Sequence, residues 1–252
     1  MKKERADELL VGHGIAESRS AAQRLILAGQ VLLEGGAAVD KPAQPFPVDT
    51  VFRLKEKPRY VGRGGEKLEG FFRAYGEDLR GRRALDIGAS TGGFTDYLLQ
   101  HGAATVTGVD VGHGQLHYRL RMDPRVRCLE GINARRLTEF LPIGEPFNPV
   151  VMDLSFISLK KILPEAWRLL ADGGLLVALV KPQFEATRAE VSRGKGVIAD
   201  GAVHGRIRSE IRDFAIEQLP NAQIVAELPS PVVGADGNRE FFLGLRKGCQ
   251  LA

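Results

Sequence analysis

The spacing of apolar residues changes near residue 60. Before it the patterns are short. ADELLVGHG carries Leu9 and Leu10 and is closed by Gly12 and Gly14, which predicts one short helix. A second helix is expected to start at Ser18 or Ser20, both good N-caps, and Ser20 with Gln23 spells a capping box. Ala22, Leu25 and Ile26 then repeat at helical spacing until Gly29 stops the run. QVLLEGG and AAVDKPAQPF predict a strand, a turn and a strand, and DTVFRLKE a third strand with partial alternation. A helix pair and a small sheet of this length bury only a marginal core.

Beyond this unit the pattern alternates between apolar strands and amphipathic helices, which predicts a parallel sheet covered on both faces. Pro58 interrupts the chain, and Gly62, Gly64 and Gly65 predict a flexible joint over about residues 58–65. Lys67, Leu68, Phe71 and Phe72 follow at helical spacing. The expected domains are 1–60 and 61–252. Strands are expected at Ala84–Ile87, in TVTGVDVG, at Arg125–Leu129, in FNPVVMDLSF ending at Asp153, and in GGLLVALVKPQF ending at Lys181. NAQIVAEL and REFFLGLR predict an antiparallel pair at one edge.

The most informative run is ALDIGASTGGFTDYLL, in which a strand enters a glycine turn and then a helix. Glycine allows positive φ and close backbone approach, and a helix N-terminus offers free N–H groups. The turn therefore suits a nucleotide-like ligand. The dinucleotide fingerprint G-x-G-x-x-G is not matched, because the order here is G-A-S-T-G-G and Ser90 stands at the second glycine position. Asp86 before the turn would repel a pyrophosphate but suits a cationic amino-acid group. S-adenosylmethionine carries an ammonium, a sulfonium and no phosphate. Asp110, at the end of the next strand, is placed to accept both ribose hydroxyls, and Asn133 after the third strand can bond the adenine. Gly88, Ser90, Gly92, Gly93 and Phe94 complete the expected cofactor cradle. A nicotinamide site and a purely structural turn are the competing readings.

Composition narrows the class. Apolar residues make up 44% and charged residues 26% of 252 residues, ordinary for a soluble globular protein. No apolar run reaches the length of a membrane helix, and MKKERADELL lacks the apolar core of a secretory signal, so a cytoplasmic protein is expected. Cys128 and Cys249 lack metal spacing, and His13, His101, His113, His117 and His204 form no ligand pattern, so no metal is expected. The net charge is +4. Runs at Arg53–Lys67, Arg119–Arg136 and Arg188–Arg212 bracket the glycine turn and favour a polyanionic substrate.

Ligands of such sheets sit beyond the carboxyl ends of the strands. Asp86, Asp110, Asp153 and Lys181 all fall there. A lysine in a semi-dry cleft beside a carboxylate can hold a hydroxyl oxygen and take its proton. The competing reading of Lys181 is a solvated strand end.

Two resemblances add to this reading. ADELLVGHGIAESRSAAQRLILAGQVLLEGG with DKP is similar to the S4-type RNA-binding domain, most specifically in SRSAAQRLILAGQV. That resemblance implies that Arg5, Arg19, Arg24 and Lys41, with Arg59 and Arg63 at the joint, lie on structured RNA. The second part resembles the FtsJ-like 2′-O-methyltransferases through GRGGEKL, DIGASTGGFTD, DLSFISL, LVKPQFE and GNREFFL. The whole chain resembles the TlyA/haemolysin A family of rRNA methyltransferases. FtsJ-like enzymes use a Lys–Asp–Lys–Glu tetrad, and the matching positions are Lys67, Asp153, Lys181 and Glu240. The fold class implied is a Rossmann-like α/β methyltransferase sheet behind a small α+β S4-like domain. The activity implied is S-adenosylmethionine-dependent 2′-O-methylation of cytidine in 16S or 23S rRNA, with ribosomal RNA or ribosomal subunits as partner. Tyr60 stands in the joint where the family often has tryptophan, and Asn133 where related enzymes often have aspartate. A ribosome-assembly factor without activity and a membrane-lytic haemolysin are the alternatives. Base methylation is disfavoured, since Asp153-Leu154-Ser155-Phe156 lacks the Asn/Asp-Pro-Pro-aromatic pattern.

Overall fold

The computed structural model describes residues 2–55 and 58–249. The chain divides into two compact units between Pro58 and Arg59. In the first unit, β1 (Lys3–Arg5), α1 (Ala6–Gly12), α2 (Arg19–Leu27), β2 (Val31–Leu33), β3 (Pro45–Pro47) and β4 (Phe52–Leu54) follow in order. β1 pairs antiparallel with β3, and β2 with β4. The helix pair buries Ala6, Leu9, Leu10, Ala22 and Ile26 against Val31, Val39 and Phe52.

One local expectation needs correction, and one strand went unanticipated. The cap of α2 is Ser18, whose hydroxyl accepts the Ala21 amide, and the Ser20–Gln23 box does not form. Gln23 is drawn away to donate to Asp7 at 2.8 Å. The three residues of β1 were not anticipated, because Lys3-Glu4-Arg5 has no apolar alternation and gains its strand geometry only from the distant Pro45–Pro47.

The second unit contains α3 (Arg63–Tyr75), β5 (Arg83–Ile87), α4 (Gly93–Gln100), β6 (Thr105–Val109), α5 (Tyr118–Arg121), β7 (Val126–Leu129), β8 (Val150–Met152), α6 (Leu163–Leu169), β9 (Leu175–Val180), α7 (Pro182–Glu185), α8 (Arg188–Arg193), α9 (Gly201–Gln218), β10 (Ala222–Pro229) and β11 (Phe241–Lys247). Its seven strands are ordered β10-β11-β9-β8-β5-β6-β7. Only β11 runs against the others, inserted between β9 and β10. β9 shows why the sheet is central: all six residues are buried, with Leu176, Ala178 and Val180 in one core and Leu175, Val177 and Leu179 in the other. One face is covered by Trp167 of α6 and Ile207 and Ile211 of α9, the other by Leu68 and Phe71 of α3 and Leu98 of α4.

The strand order reverses between β5 and β8, which sets the ligand crevice beyond their carboxyl ends. Because β11 is reversed, its first residue Phe241 lies opposite Val180, the last of β9. Glu240 thus reaches the same rim as Lys181.

Only the end of the expected joint is helical: residues 58–62 are irregular and α3 starts at Arg63. Gly62 is the N-cap of α3, and Gly64 and Gly65 form its first turn. A β-carbon on Gly65 would lie 2.2 Å from the Tyr60 ring, and one on Gly64 would crowd Phe94 at 3.2 Å. Gly64 and Gly65 thus serve close packing.

Candidate active site

Asp86, the penultimate residue of β5, is fully buried. Its Oδ2 accepts the Thr95 amide at 2.9 Å and the Thr95 hydroxyl at 2.7 Å, while Oδ1 has no partner among the described residues. Burial pushes this carboxyl up to about 7; the Asp153 and Asp110 charges add to the effect and the Thr95 bonds oppose it. Gly88 follows at φ +84, and a β-carbon there would stand 2.6 Å from the Asp153 carbonyl oxygen. Gly92, at φ +95, caps α4 under Leu116 and Leu120. Gly93 meets the backbone of Gly64 and Gly65, so the first turns of α3 and α4 touch directly.

Asp110 follows β6 and braces the turn. Its Oδ2 accepts the Ser90 amide at 2.8 Å and its Oδ1 the Gly112 amide at 2.7 Å. Ser90 is held at φ +48. Each Asp110 oxygen keeps a lone pair for a ligand hydroxyl. Asn133 spends its Oδ1 on the Arg135 amide at 3.0 Å, which leaves its NH₂ as the end that can meet a base.

Two adjoining cavities open here. One of about 230 Å³ is lined by Asp86, Gly93, Phe94, Arg63, Lys67 and Lys181. The other, of about 530 Å³, is lined by Asp110, Asn133, Ile132, Leu154 and Phe156. Gly88, Ser90, Asp153 and Ser155 border both. Phe94 is mostly core, packed toward Phe242, and Gly92 borders neither cavity.

Four charged side chains meet beside the first cavity. Lys181 Nζ lies 2.6 Å from Asp153 Oδ1, and Lys67 Nζ lies 3.8 Å from Asp153 Oδ2 and 2.6 Å from Glu240 Oε2. Lys67, Lys181 and Glu240 are buried. The array sets two lysines and two carboxylates in alternation, an arrangement that limits the cost of burying them. Lys181 also donates to Ser155 Oγ at 3.0 Å.

A family model for FtsJ-like methyltransferases matches residues 60–247. The chain belongs to this family. Among curated FtsJ-like relatives, "Hemolysin A" of Brachyspira hyodysenteriae is 41% identical over 94% of this chain and 97% of its own length. The "16S/23S rRNA (cytidine-2′-O)-methyltransferase TlyA" of Mycobacterium tuberculosis strain H37Rv is 43% identical over 97% of this chain and 90% of its own. A solved Streptococcus thermophilus protein described as a hemolysin has a TM-score of 0.72 at 40% identity, covering 98% of this chain and 90% of that one. A solved Listeria monocytogenes protein described as an S-adenosylmethionine-dependent methyltransferase shares the fold at 16% identity and a TM-score of 0.55, over 75% of this chain and 100% of that one.

The basic residues of this FtsJ-like chain divide into tied and free ones. Arg5 and Arg19 both bind buried Asp7, and Arg59 binds Glu69. Arg24 and Lys41 are exposed, and Arg63 lines the first cavity. The arginine runs are weaker fields than their composition implies. Arg121 pairs with Glu130, Arg125 with Asp123, Arg136 with Glu139, and Arg206 with Glu190 and Glu210. Among the described residues no group of acids, histidines and cysteines could hold a metal, and no helix is long and apolar enough to cross a membrane. Cys128 is half-buried and Cys249 exposed, both free thiols.

Sequence reasoning missed four residues at the site. Thr95 holds Asp86. Ser155 holds Lys181. Phe156 is 90% exposed at φ +63, strained for an aromatic residue, with its ring 5.0 Å from that of Phe184. Glu185 accepts Ser158 Oγ at 2.6 Å and the Leu159 amide at 2.7 Å, tying the segment after Asp153 to the one after Lys181. Burial pushes the Glu185 carboxyl up. The signal for Phe156 was the aromatic beside Asp153 in DLSF; its backbone angle left no trace in the sequence.

Proposed function

We propose that this chain is an S-adenosylmethionine-dependent 2′-O-ribose methyltransferase that modifies cytidine of ribosomal RNA in the cytoplasm. The observation that carries the reading is the Lys181–Asp153–Lys67–Glu240 array beside the glycine cradle. The relative named as a 16S/23S rRNA (cytidine-2′-O)-methyltransferase supports the choice of acceptor.

The residues present fit the cofactor. The unpartnered Asp86 Oδ1 calls for a cationic donor, which the amino-acid ammonium provides. Asp110 offers acceptors to the ribose hydroxyls and Asn133 a donor to the adenine. When bound, the cofactor supplies an electrophilic methyl group on a sulfonium.

The protein's own work is positioning and proton handling. Lys181 holds the target 2′-oxygen and takes its proton. Asp153 fixes Lys181 by charge, while Lys67 and Glu240 complete the array and orient the ribose. Phe156, exposed at the mouth, offers a face on which the target base stacks. Arg24 and Lys41 of an S4-like first domain, with Arg63, bind RNA phosphate and give affinity with little sequence reading, while Arg5, Arg19 and Arg59 are held by carboxylates. An intact array gives no reason for the alternative of an inactive assembly factor.

The test is transfer of labelled methyl groups to 30S and 50S particles from a strain lacking this modification, followed by mapping of ribose methylation. The wild type is expected to label a cytidine ribose. Lys181→Ala is expected to lose at least ~100-fold in rate. Full activity in Lys181→Ala, or label on a base, would overturn the assignment.

A further inference from the structure

We propose that Ser155 is a positioning residue of the methyl-transfer reaction: it holds Lys181 in both protonation states and carries the proton from it to water. This rests on the ribose methyltransferase reading. When the ribose oxygen gains its bond to the methyl carbon, the carbon–sulfur electron pair stays on sulfur. The O–H bond breaks, and its proton passes to the lone pair of Lys181 Nζ. One proton therefore accumulates in the site at every turnover and has to leave before the next.

Lys67 and Glu240 are buried, and Asp153 is already shared between two lysines. Lys181 keeps only 8% of its surface. Its contact with Asp153 Oδ1 is close but not aligned as a hydrogen bond. Its aligned bond is the one to Ser155 Oγ, at 3.0 Å. Ser155 is exposed and borders both cavities. A hydroxyl accepts from an ammonium and, after rotating, donates to a neutral amine. Asp153 can serve only the first state. Ser155 serves both, so Lys181 keeps its place as its proton comes and goes.

The anchoring of the segment supports this role. Ser155 lies between Asp153 and the strained Phe156, and Glu185 pins the next turn through Ser158 and Leu159. The hydroxyl is thus held at a set distance from a lysine carried by a different strand.

The test compares Ser155→Ala and Ser155→Thr with the wild type. Because Ser155 is exposed, both variants are expected to fold and to bind S-adenosylmethionine with unchanged affinity by calorimetry. Ser155→Ala should lower kcat about 10- to 100-fold, the size of one lost charge-assisted hydrogen bond, with KM for the ribosomal particle unchanged. Ser155→Thr keeps the hydroxyl and should restore the rate to within a few-fold. A readout without substrate is the ¹³Cε resonance of Lys181 in lysine-labelled protein. It should move in Ser155→Ala and stay in Ser155→Thr. Wild-type kcat in Ser155→Ala, or a Lys181 resonance indifferent to both substitutions, would overturn the proposal while leaving the reading intact. Failure of the wild type to methylate any ribose would instead overturn the reading, and the proton outlet with it.

Discussion

Asp7 in the first unit and Asp86 in the second are both fully buried carboxylates, and they are treated in opposite ways. Asp7 is saturated: Arg5 grips both of its oxygens, and Arg19 and Gln23 donate to Oδ2. The Arg5 bonds, followed by those from Gln23 and Arg19, hold its carboxyl well below the usual range despite burial. Asp86 has one helper, Thr95, and an oxygen with none. Burial wins there, and the group rises to about 7. One aspartate builds a small domain whose core is thin. The other is kept short of donors, and the fold bears that cost where a ligand is to be received.

The most forceful way to break this contrast is to neutralise each group in turn. Asp86→Asn should lower S-adenosylmethionine affinity about 10- to 100-fold by calorimetry, with the thermal midpoint of the second unit unchanged or raised. Trp167, the only tryptophan, reports that unit by fluorescence. Asp7→Asn should leave cofactor affinity alone and cost the first unit about 1–2 kcal/mol, since the exposed arginines it releases are resolvated. Peptide-resolved hydrogen exchange on the full chain separates the two effects. A cofactor defect in Asp7→Asn, or a destabilised second unit in Asp86→Asn, would erase the distinction.

Acid offers a gentler probe. Asp86 goes from 3.8, its ordinary value, up to about 7 on folding. Folding therefore takes up a proton between those values, and this group adds stability to the second unit as pH falls from 7 toward 4. Asp7 shifts downward, so its contribution is present at neutral pH and is lost as pH falls below about 4. Hydrogen exchange should show the first unit loosening in acid before the second. Cofactor affinity should drop about tenfold per pH unit below 7, because the ammonium needs the ionised carboxylate. A flat affinity between pH 5 and 8 would remove Asp86 from the binding role. The smallest effect expected is for Glu185→Gln, which keeps one acceptor for the Leu159 amide. It should slow methyl transfer only a few-fold, with the loss concentrated in KM for RNA, as measured by steady-state kinetics.

The parts of the site legible in the sequence were those written locally. Asp86, Asp110, Asp153 and Lys181 end apolar strands, and strand ends of an alternating chain share a rim. Lys67 and Glu240 were reached only through family resemblance. They are 173 residues apart, one on a helix and one before a reversed strand, and no periodicity joins them. The glycines of GRGGEKL misled because glycine permits both bending and close packing. Tyr60 and Phe94, which decide between the two, lie outside the motif. Ser20 and Gln23 spelled a cap that Asp7 dissolved by offering Gln23 a charged acceptor. The arginine runs pointed toward a polyanion, but composition overstated their strength, since Asp123, Glu130, Glu139 and Glu190 pair with them.

The reversed strand β11 also bears on when the enzyme comes into being. Glu240 is translated long after the cofactor cradle is complete, and β11 then has to insert between β9 and β10. On the proposed reading, a chain lacking β11 would keep the glycine turn but not Glu240. A message cut short upstream of it would yield a binder without chemistry, and two fragments divided before β10 would regain activity only on reassembly.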